Sequence, residues 1–182
     1  MFVLWNEEGR RTMKLLKPIH EYSEHITAYR QAFLHSGEQP HGSSSLQNFD
    51  SLDEWFEKVS KQELGENLLA NRVPSSQFLS FEKGELIGFV NIRHRLNPEL
   101  LRESGHIGYS VHPNKRRHGY ATKQLQLALA EAQKLGLQKV LITCDKSNIG
   151  SAKTIQKVGG VLENEVVSSR TGEVIQRYWI EI

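Results

Sequence analysis

A mixed α/β (α+β) fold is what the 182-residue chain predicts: a mostly antiparallel sheet of roughly six or seven strands, one parallel crossover near its middle, and about four helices. Three observations lead there. The periodicities read, in order, as strand, two helices, three antiparallel strands, helix, strand, helix and a closing hairpin. Two tight-turn pairs, Lys83-Gly84 and Thr171-Gly172, each separate strand-like runs. Between those hairpins a strand, an amphipathic helix and a β-branched apolar strand follow one another, as in a parallel β–α–β unit.

Each element has a local reason. A strand at about Lys14–Lys17 is ended by Pro18, which has no N–H for a ladder. Residues 21–35 place Tyr22, Ile26, Tyr29 and Phe33 close to helical period. The run HSGEQPHGSSSLQNF is rich in breakers and reads as a loop, after which Asp50 and Ser51 offer N-caps to a helix carrying Leu52, Trp55, Phe56 and Val59. QFLSFEK and ELIGFVNIRHRL form the first hairpin, and NPELLRES a short helical excursion. GHIGYSV is the next strand, where Gly105 and Gly108 mark a bulge or a close approach of another backbone. Leu125, Ala128, Leu129, Ala132 and Leu135 stripe a helix from Ala121 to Lys134 that Gly136 caps. KVLITC suits a buried strand of a parallel pair. Asn148 opens a helix through Lys157, stopped by Gly159-Gly160, and the hairpin VLENEVVSS–RTG–EVIQRYWIEI closes the chain.

Residues 13–182 are expected to form a single domain, with residues 1–12 an N-terminal extension, an alternative start or an extra edge strand. The formal charge of +2 gives no argument for nucleic acid or a membrane surface. No apolar stretch approaches the roughly 20 residues that span a bilayer. Cys144 is the only cysteine, which rules out an intramolecular disulfide and fits a reducing, cytoplasmic setting. It reads as a small core residue, since no thiolate-stabilising motif surrounds it. His106, His112 and His118 recur every six residues, which is no familiar zinc spacing, and no metal is expected.

The chemistry lies in VHPNKRRHGYATKQL, from Val111 to Leu125. Lys115, Arg116 and Arg117 stand where a helix is about to begin, at an end already positive and rich in unpaired N–H groups. A strand–loop–helix of this kind is an anion site. It is neither a P-loop nor a dinucleotide fingerprint, because G-x-x-x-x-G-K-[ST] and G-x-G-x-x-G are both missing.

Val111, Pro113, Arg116, Gly119 and Ala121 satisfy V-x-P-x-x-[RQ]-x-x-G-x-[GA], and here the sequence resembles the GNAT superfamily of N-acetyltransferases. The resemblance extends through Asn148-x-x-Ser151 to the final hairpin, and the element order of residues 13–182 agrees. It implies a GNAT-type sheet whose central parallel strands splay apart, with acetyl-CoA as co-substrate and an amine-bearing acceptor. The pyrophosphate is assigned to the amides of Arg116, Arg117, His118, Gly119, Tyr120 and Ala121, with Thr122. Gly119 admits the bulky anion where a Cβ would obstruct it. The pantetheine arm pairs with Tyr109, Ser110 and Val111, and the backbone N–H of Tyr109 faces the thioester oxygen as an oxyanion donor. Asn148 and Ser151 contact the cofactor.

The implied reaction is direct attack of a primary amine through a tetrahedral intermediate. Many members carry a Glu four residues before the Tyr109 position and a Tyr seven after the Asn148 position; here these are Gly105 and Ile155. His106 is the candidate base, with Glu103 at the strand entrance. Ser151, water or a tyrosine elsewhere remains for the departing thiolate. The alternative is a non-catalytic acyl-CoA-binding or sensor module of the same fold, and a donor such as succinyl-CoA is also open. The loop HSGEQPHGSSSLQNF is expected on the acceptor side, and a homodimer through the C-terminal strands is common in the family.

Overall fold

Strand β1 (Lys14–Leu16), helices α1 (Ser23–Ser36) and α2 (Leu52–Leu64), and strands β2 (Ser75–Glu82), β3 (Glu85–Arg93) and β4 (Ile107–Val111) form the first half of the molecule. Helix α3 (Tyr120–Lys134), strand β5 (Lys139–Asp145), helix α4 (Ile149–Lys157) and strands β6 (Val161–Val167) and β7 (Val174–Glu181) form the second. This computed structural model describes residues 12–182, so the expectation for residues 1–12 lies almost wholly outside the described residues.

The strands make an antiparallel sheet in the order β1-β2-β3-β4 and a second in the order β5-β7-β6, with β7 inserted between the strands that precede it. Lys83 and Gly84 both have positive φ, at 54° and 82°, so the β2–β3 turn is of the kind that matches strand twist. Ser51 caps α2 by accepting the N–H of Asp53, and Gly65 ends that helix at φ 73°. NPELLRES forms a wide helical turn, Leu100–Ser104.

Two cores lie on opposite faces of the β1–β4 sheet. One packs Val90, Ile92 and Ile107 against Leu125 and Ala128 of α3 and Ile155 of α4, and extends under β5 and β7. The other packs Leu79 and Phe89 against Ile26, Tyr29 and Phe33 of α1 and Trp55 of α2. Alternation along β3 assigns its side chains: Val90 and Ile92 go to the α3 face, Phe89, Asn91 and Arg93 to the α1–α2 face.

β4 and β5 meet only at their base. The N–H of His106 donates to Leu141 O at 2.7 Å, and the N–H of Leu141 donates to the ring Nδ1 of His106 at 2.9 Å. One side chain thus takes the place of a main-chain carbonyl, and beyond it the ladder stops. Gly105, at φ 64°, allows this approach, since a Cβ there would stand 2.4 Å from Leu141 O.

Candidate active site

The direction of each β4 amide follows from its ends. His106 O accepts from Arg93 N and His112 N donates to Ile87 O, so Gly108 and Ser110 exchange bonds with β3 in between. The N–H groups of Ile107, Tyr109 and Val111 therefore point the other way, into the gap beside β5. No acceptor for the Tyr109 N–H exists among the described residues.

At the far end of the gap the chain turns into α3. Arg117 has φ 65° and Gly119 φ 77°, and this alternation converges successive N–H groups into a nest. No side chain caps α3, and its first turn holds no acid. A Cβ at Gly119 would meet no atom within 4 Å, so the space in front of the nest is open. Of the three cations, two are already engaged: Lys115 pairs with Glu85 at 2.7 Å, and Arg116 forks onto Glu38 at 2.6 and 3.0 Å. Arg117 is exposed and has no ion pair among the described residues. His118 contacts Lys115 O through Nδ1, and Tyr120, Ala121 and Thr122 open the helix.

The α1–α2 loop lies across β4 on its other face. Glu38 holds it to Arg116, and His41 O accepts from the Ser110 hydroxyl at 2.5 Å. Gly42 rests on Gly108 so closely that a Cβ on Gly42 would stand 2.2 Å from Gly108 O and 2.7 Å from Tyr109 N. The expected acceptor-side loop therefore covers the peptide that carries the Tyr109 N–H. Ser110 serves this clamp: its main chain pairs with β3 and its hydroxyl with the loop, which turns it away from the gap. Tyr109 and Val111 are the members of that trio that face it.

A buried amide network supports the loop. Gln77 Nε2 donates to the carbonyls of Gly42 and Val90, which leaves Gln77 Oε1 to accept from the Ser44 hydroxyl at 2.7 Å. Asn91 Nδ2 then donates to Ser44 Oγ at 3.2 Å and Ser75 Oγ at 3.3 Å. That orientation leaves Asn91 Oδ1 without a donor among the described residues, on a strand that lines the cavity opposite Gly108. The cavity, about 930 Å³, runs from Tyr109, Cys144, Asn148 and Ser151 past Asn91 to Arg93 and Arg72.

The candidate acid–base groups fare differently. His106 keeps its Nδ1 lone pair on the Leu141 N–H, and burial, with the Arg93 charge, pushes its pKa down to about 4. An imidazole already accepting through its one lone pair has none left for an amine proton, so the structure gives it a structural place. Glu103 accepts from Ser169 N–H, Ser169 Oγ and Ser168 Oγ, which hold its carboxyl down at about 2. The missing Glu has a steric reason in the closeness of Gly105 to Leu141. Ile155 is fully buried in the α3–α4 core. The Tyr109 hydroxyl instead reaches the first turn of α4, 2.9 Å from Ser151 Oγ, and burial pushes it up to about 12. Asn148 caps Ser151 N–H through Oδ1. Cys144 lines the same space, its thiol pushed up by burial to about 11, which keeps it protonated. Among the described residues no cluster of ligands could hold a metal ion, and no helix is long and apolar enough to cross a membrane.

Glu38, Gln77, Asn91 and Arg93 were not singled out in the sequence. The available signal was polar residues at alternate positions, Ser75 and Gln77 on a strand that also carries Ser76, Ser80 and Glu82, and Asn91 and Arg93 on the next, which is apolar from Leu86 to Val90.

No curated protein matches the sequence. The fold is shared with the acetyltransferase from Salmonella typhimurium that modifies the N-terminal serine of 50S ribosomal subunit protein L7/L12, at 19% identity and a TM-score of 0.65 over 94% of this chain and 95% of that one. Mycobacterium smegmatis RimJ, solved with CoA-disulfide, aligns at 17% identity and TM-score 0.71 over 93% of this chain and 81% of its own. The microcin C7 self-immunity acetyltransferase MccE, solved with acetyl-CoA and AMP, gives 18% and 0.64 over 93% and 92%. Residues 16–161 match the family model described as Acetyltransferase (GNAT) domain, and with the splayed strands and open helix terminus already in place, the chain belongs to the GNAT acetyltransferases, enzymes that take acetyl-CoA as co-substrate.

Proposed function

We propose that the protein acetylates a primary amine by direct attack on acetyl-CoA held between β4 and β5. The observation that carries this reading is the Tyr109 N–H, unpaired and directed into the gap. The pyrophosphate binds the amides of residues 116–122, with Arg117 as the cation left for it, and the pantetheine arm pairs with the outward groups of Tyr109 and Val111. Asn148 Nδ2 and Ser151 border the arm on the β5 side.

Asn91 Oδ1 accepts an N–H of the neutral amine and aims its lone pair at the thioester carbonyl. The C–N bond forms as the carbonyl π pair moves onto oxygen, where the Tyr109 N–H stabilises it; one such donor is worth about 2.7–4 kcal/mol. Collapse breaks the C–S bond, and the proton lost by nitrogen ends on the thiol of CoA. The Tyr109 hydroxyl, steadied by Ser151, donates a hydrogen bond to the leaving sulfur. With its pKa near 12, above that of an ordinary thiol near 8.5, it stabilises the thiolate without surrendering its own proton.

Release of CoA thiol on mixing acetyl-CoA with an amine panel tests the reading. Amine-dependent release, with an acetylated product by mass spectrometry, is the expected result; tight CoA binding with no turnover on any amine would instead identify a non-catalytic acyl-CoA-binding module.

A further inference from the structure

The acceptor half of the cavity holds a half-buried cation with no ion pair among the described residues. Arg93 lies two residues beyond Asn91 on the same face of β3, and a strand spaces such positions about 7 Å apart. One of its guanidinium nitrogens donates to the carbonyls of Ser104 and Gly105, at 3.1 and 2.9 Å. The remaining donors have no partner among the described residues, and no carboxylate stands within ion-pair distance. Protein encloses Arg93 on most sides, yet part of its surface opens to the cavity.

Its neighbours deepen the imbalance. Burial first, then the charges of Arg72 and Arg170, pull the Arg93 guanidinium down to about 10. Arg72 acts in the same sense on half-buried Lys58, whose ammonium donates to Ser44 O of the acceptor loop. Arg72 is exposed, lines the cavity and has no ion pair among the described residues. The lining as a whole is not basic, since Glu54, Glu66 and Asp145 join Glu57, Glu99 and Glu103 along it, but among the described residues none of these acids is within ion-pair distance of Arg93. Glu103 is held by Ser168 and Ser169, Glu99 is exposed and reaches Arg93 only at long range, and Glu57 is paired with Lys61. A half-buried guanidinium that has shed part of its hydration, with donors left over, is suited to receive an oxyanion.

We infer that Arg93, with Arg72 and Lys58, forms an anion subsite of the acceptor pocket, so that the amine this enzyme takes carries an acidic group. The inference rests on the acetyl-transfer reading above and names its substrate class: a primary amine at Asn91 with a carboxylate or phosphate roughly 7 Å away, at Arg93. A guanidinium fork suits either oxyanion.

Four C-terminally amidated tetrapeptides test it: Ser-Glu-Ala-Ala, Ser-phosphoSer-Ala-Ala, Ser-Gln-Ala-Ala and Ser-Lys-Ala-Ala. Each is measured twice, by CoA thiol release with acetyl-CoA and by calorimetry on the protein saturated with CoA. At least one acidic peptide is expected to surpass the Gln peptide by about tenfold or more in kcat/KM and in affinity, with the Lys peptide weakest. Whether Glu or phosphoserine leads identifies the oxyanion. Arg93→Met should bring the acidic preference close to unity; since Arg93 also holds two carbonyls, Arg72→Gln at an exposed position is the second variant, expected to cut the preference about threefold. Equal affinity for both acidic peptides and the Gln peptide, or a preference that Arg72→Gln leaves intact, would overturn the subsite. Thiol release without acidic preference would spare the acetyl-transfer reading while sinking this one. Tighter binding of acidic peptides with no release from any would do the reverse.

Discussion

Tyr109 contributes twice, through its N–H in the gap and its phenol at α4, and the two contributions are separable by mutation. Tyr109→Phe leaves the main-chain donor in place and removes only the hydroxyl. The expected outcome is a fall in kcat of about tenfold to a hundredfold with little change in KM for acetyl-CoA, measured by steady-state kinetics. An unaltered kcat would assign the leaving thiolate to solvent. His106 gives a different signature, in stability. Its folded pKa of about 4 lies below the usual value near 6.5, so the unfolded chain binds the extra proton first as pH falls. Its contribution is complete above about pH 6.5 and is lost progressively toward pH 4. The urea midpoint of the wild type should drop between pH 7 and pH 5 by more than that of His106→Asn, whose amide oxygen can still accept the Leu141 N–H. The pH dependence of kcat/KM should follow the acceptor amine alone. An acid-side inflection, wherever it falls between about pH 4 and pH 6.5, that disappears in His106→Asn would restore His106 as base.

At the scale of elements, the nest before α3 and the loop over β4 make opposite demands on glycine. Gly119 borders empty space, so Gly119→Glu meets no clash and costs only the strain of a side chain at φ 77°, about 1–2 kcal/mol; it should fold with a near-native circular dichroism spectrum and bind no CoA in calorimetry, and retained affinity would place the pyrophosphate elsewhere. Gly42 has no space at all. Gly42→Ala would drive a methyl into Gly108 O and put a side chain at φ 71°, displacing the acceptor loop. KM for the amine should then rise about tenfold or more, and kcat should fall with it, since the methyl also presses on the peptide that carries the Tyr109 N–H. The nest was legible in the sequence because its chemistry is main-chain geometry, and glycine and proline at fixed offsets record that geometry locally. The loop's anchors were not. Ser44, Gln77 and Asn91 come from three distant segments, and Arg116 lies 78 residues from Glu38. Nothing local marks which glutamate an arginine will find, so the engagement of the Arg116 side chain as a strut for the loop was not readable, while its amide keeps its place among those proposed for the pyrophosphate. His106 was visible as a titratable group, but its use as a surrogate carbonyl depends on a strand 35 residues away.

The molecule as a whole is two sheets joined at one edge, with the ligand expected where they part. Element order, hairpins and crossover were all readable, since hydrophobic period and turn chemistry repeat over many residues; the break between β4 and β5 was implied only by resemblance, because a gap leaves no periodic trace. A cofactor wedged there touches both halves. CoA at about a hundred times its Kd should therefore raise folding stability by about 2.7 kcal/mol, or roughly 5–10 °C in melting temperature for a chain of this size. A melting curve insensitive to CoA would mean that the halves do not share the ligand.

That parting begins at an imidazole. Of the two bonds that join the strands there, one is main chain and indifferent to the residue at position 106, and the other is written in one codon. Exchanging the residue at position 106 thus loosens one of these two ties and spares the other, so the crevice keeps its closed end whatever side chain stands there.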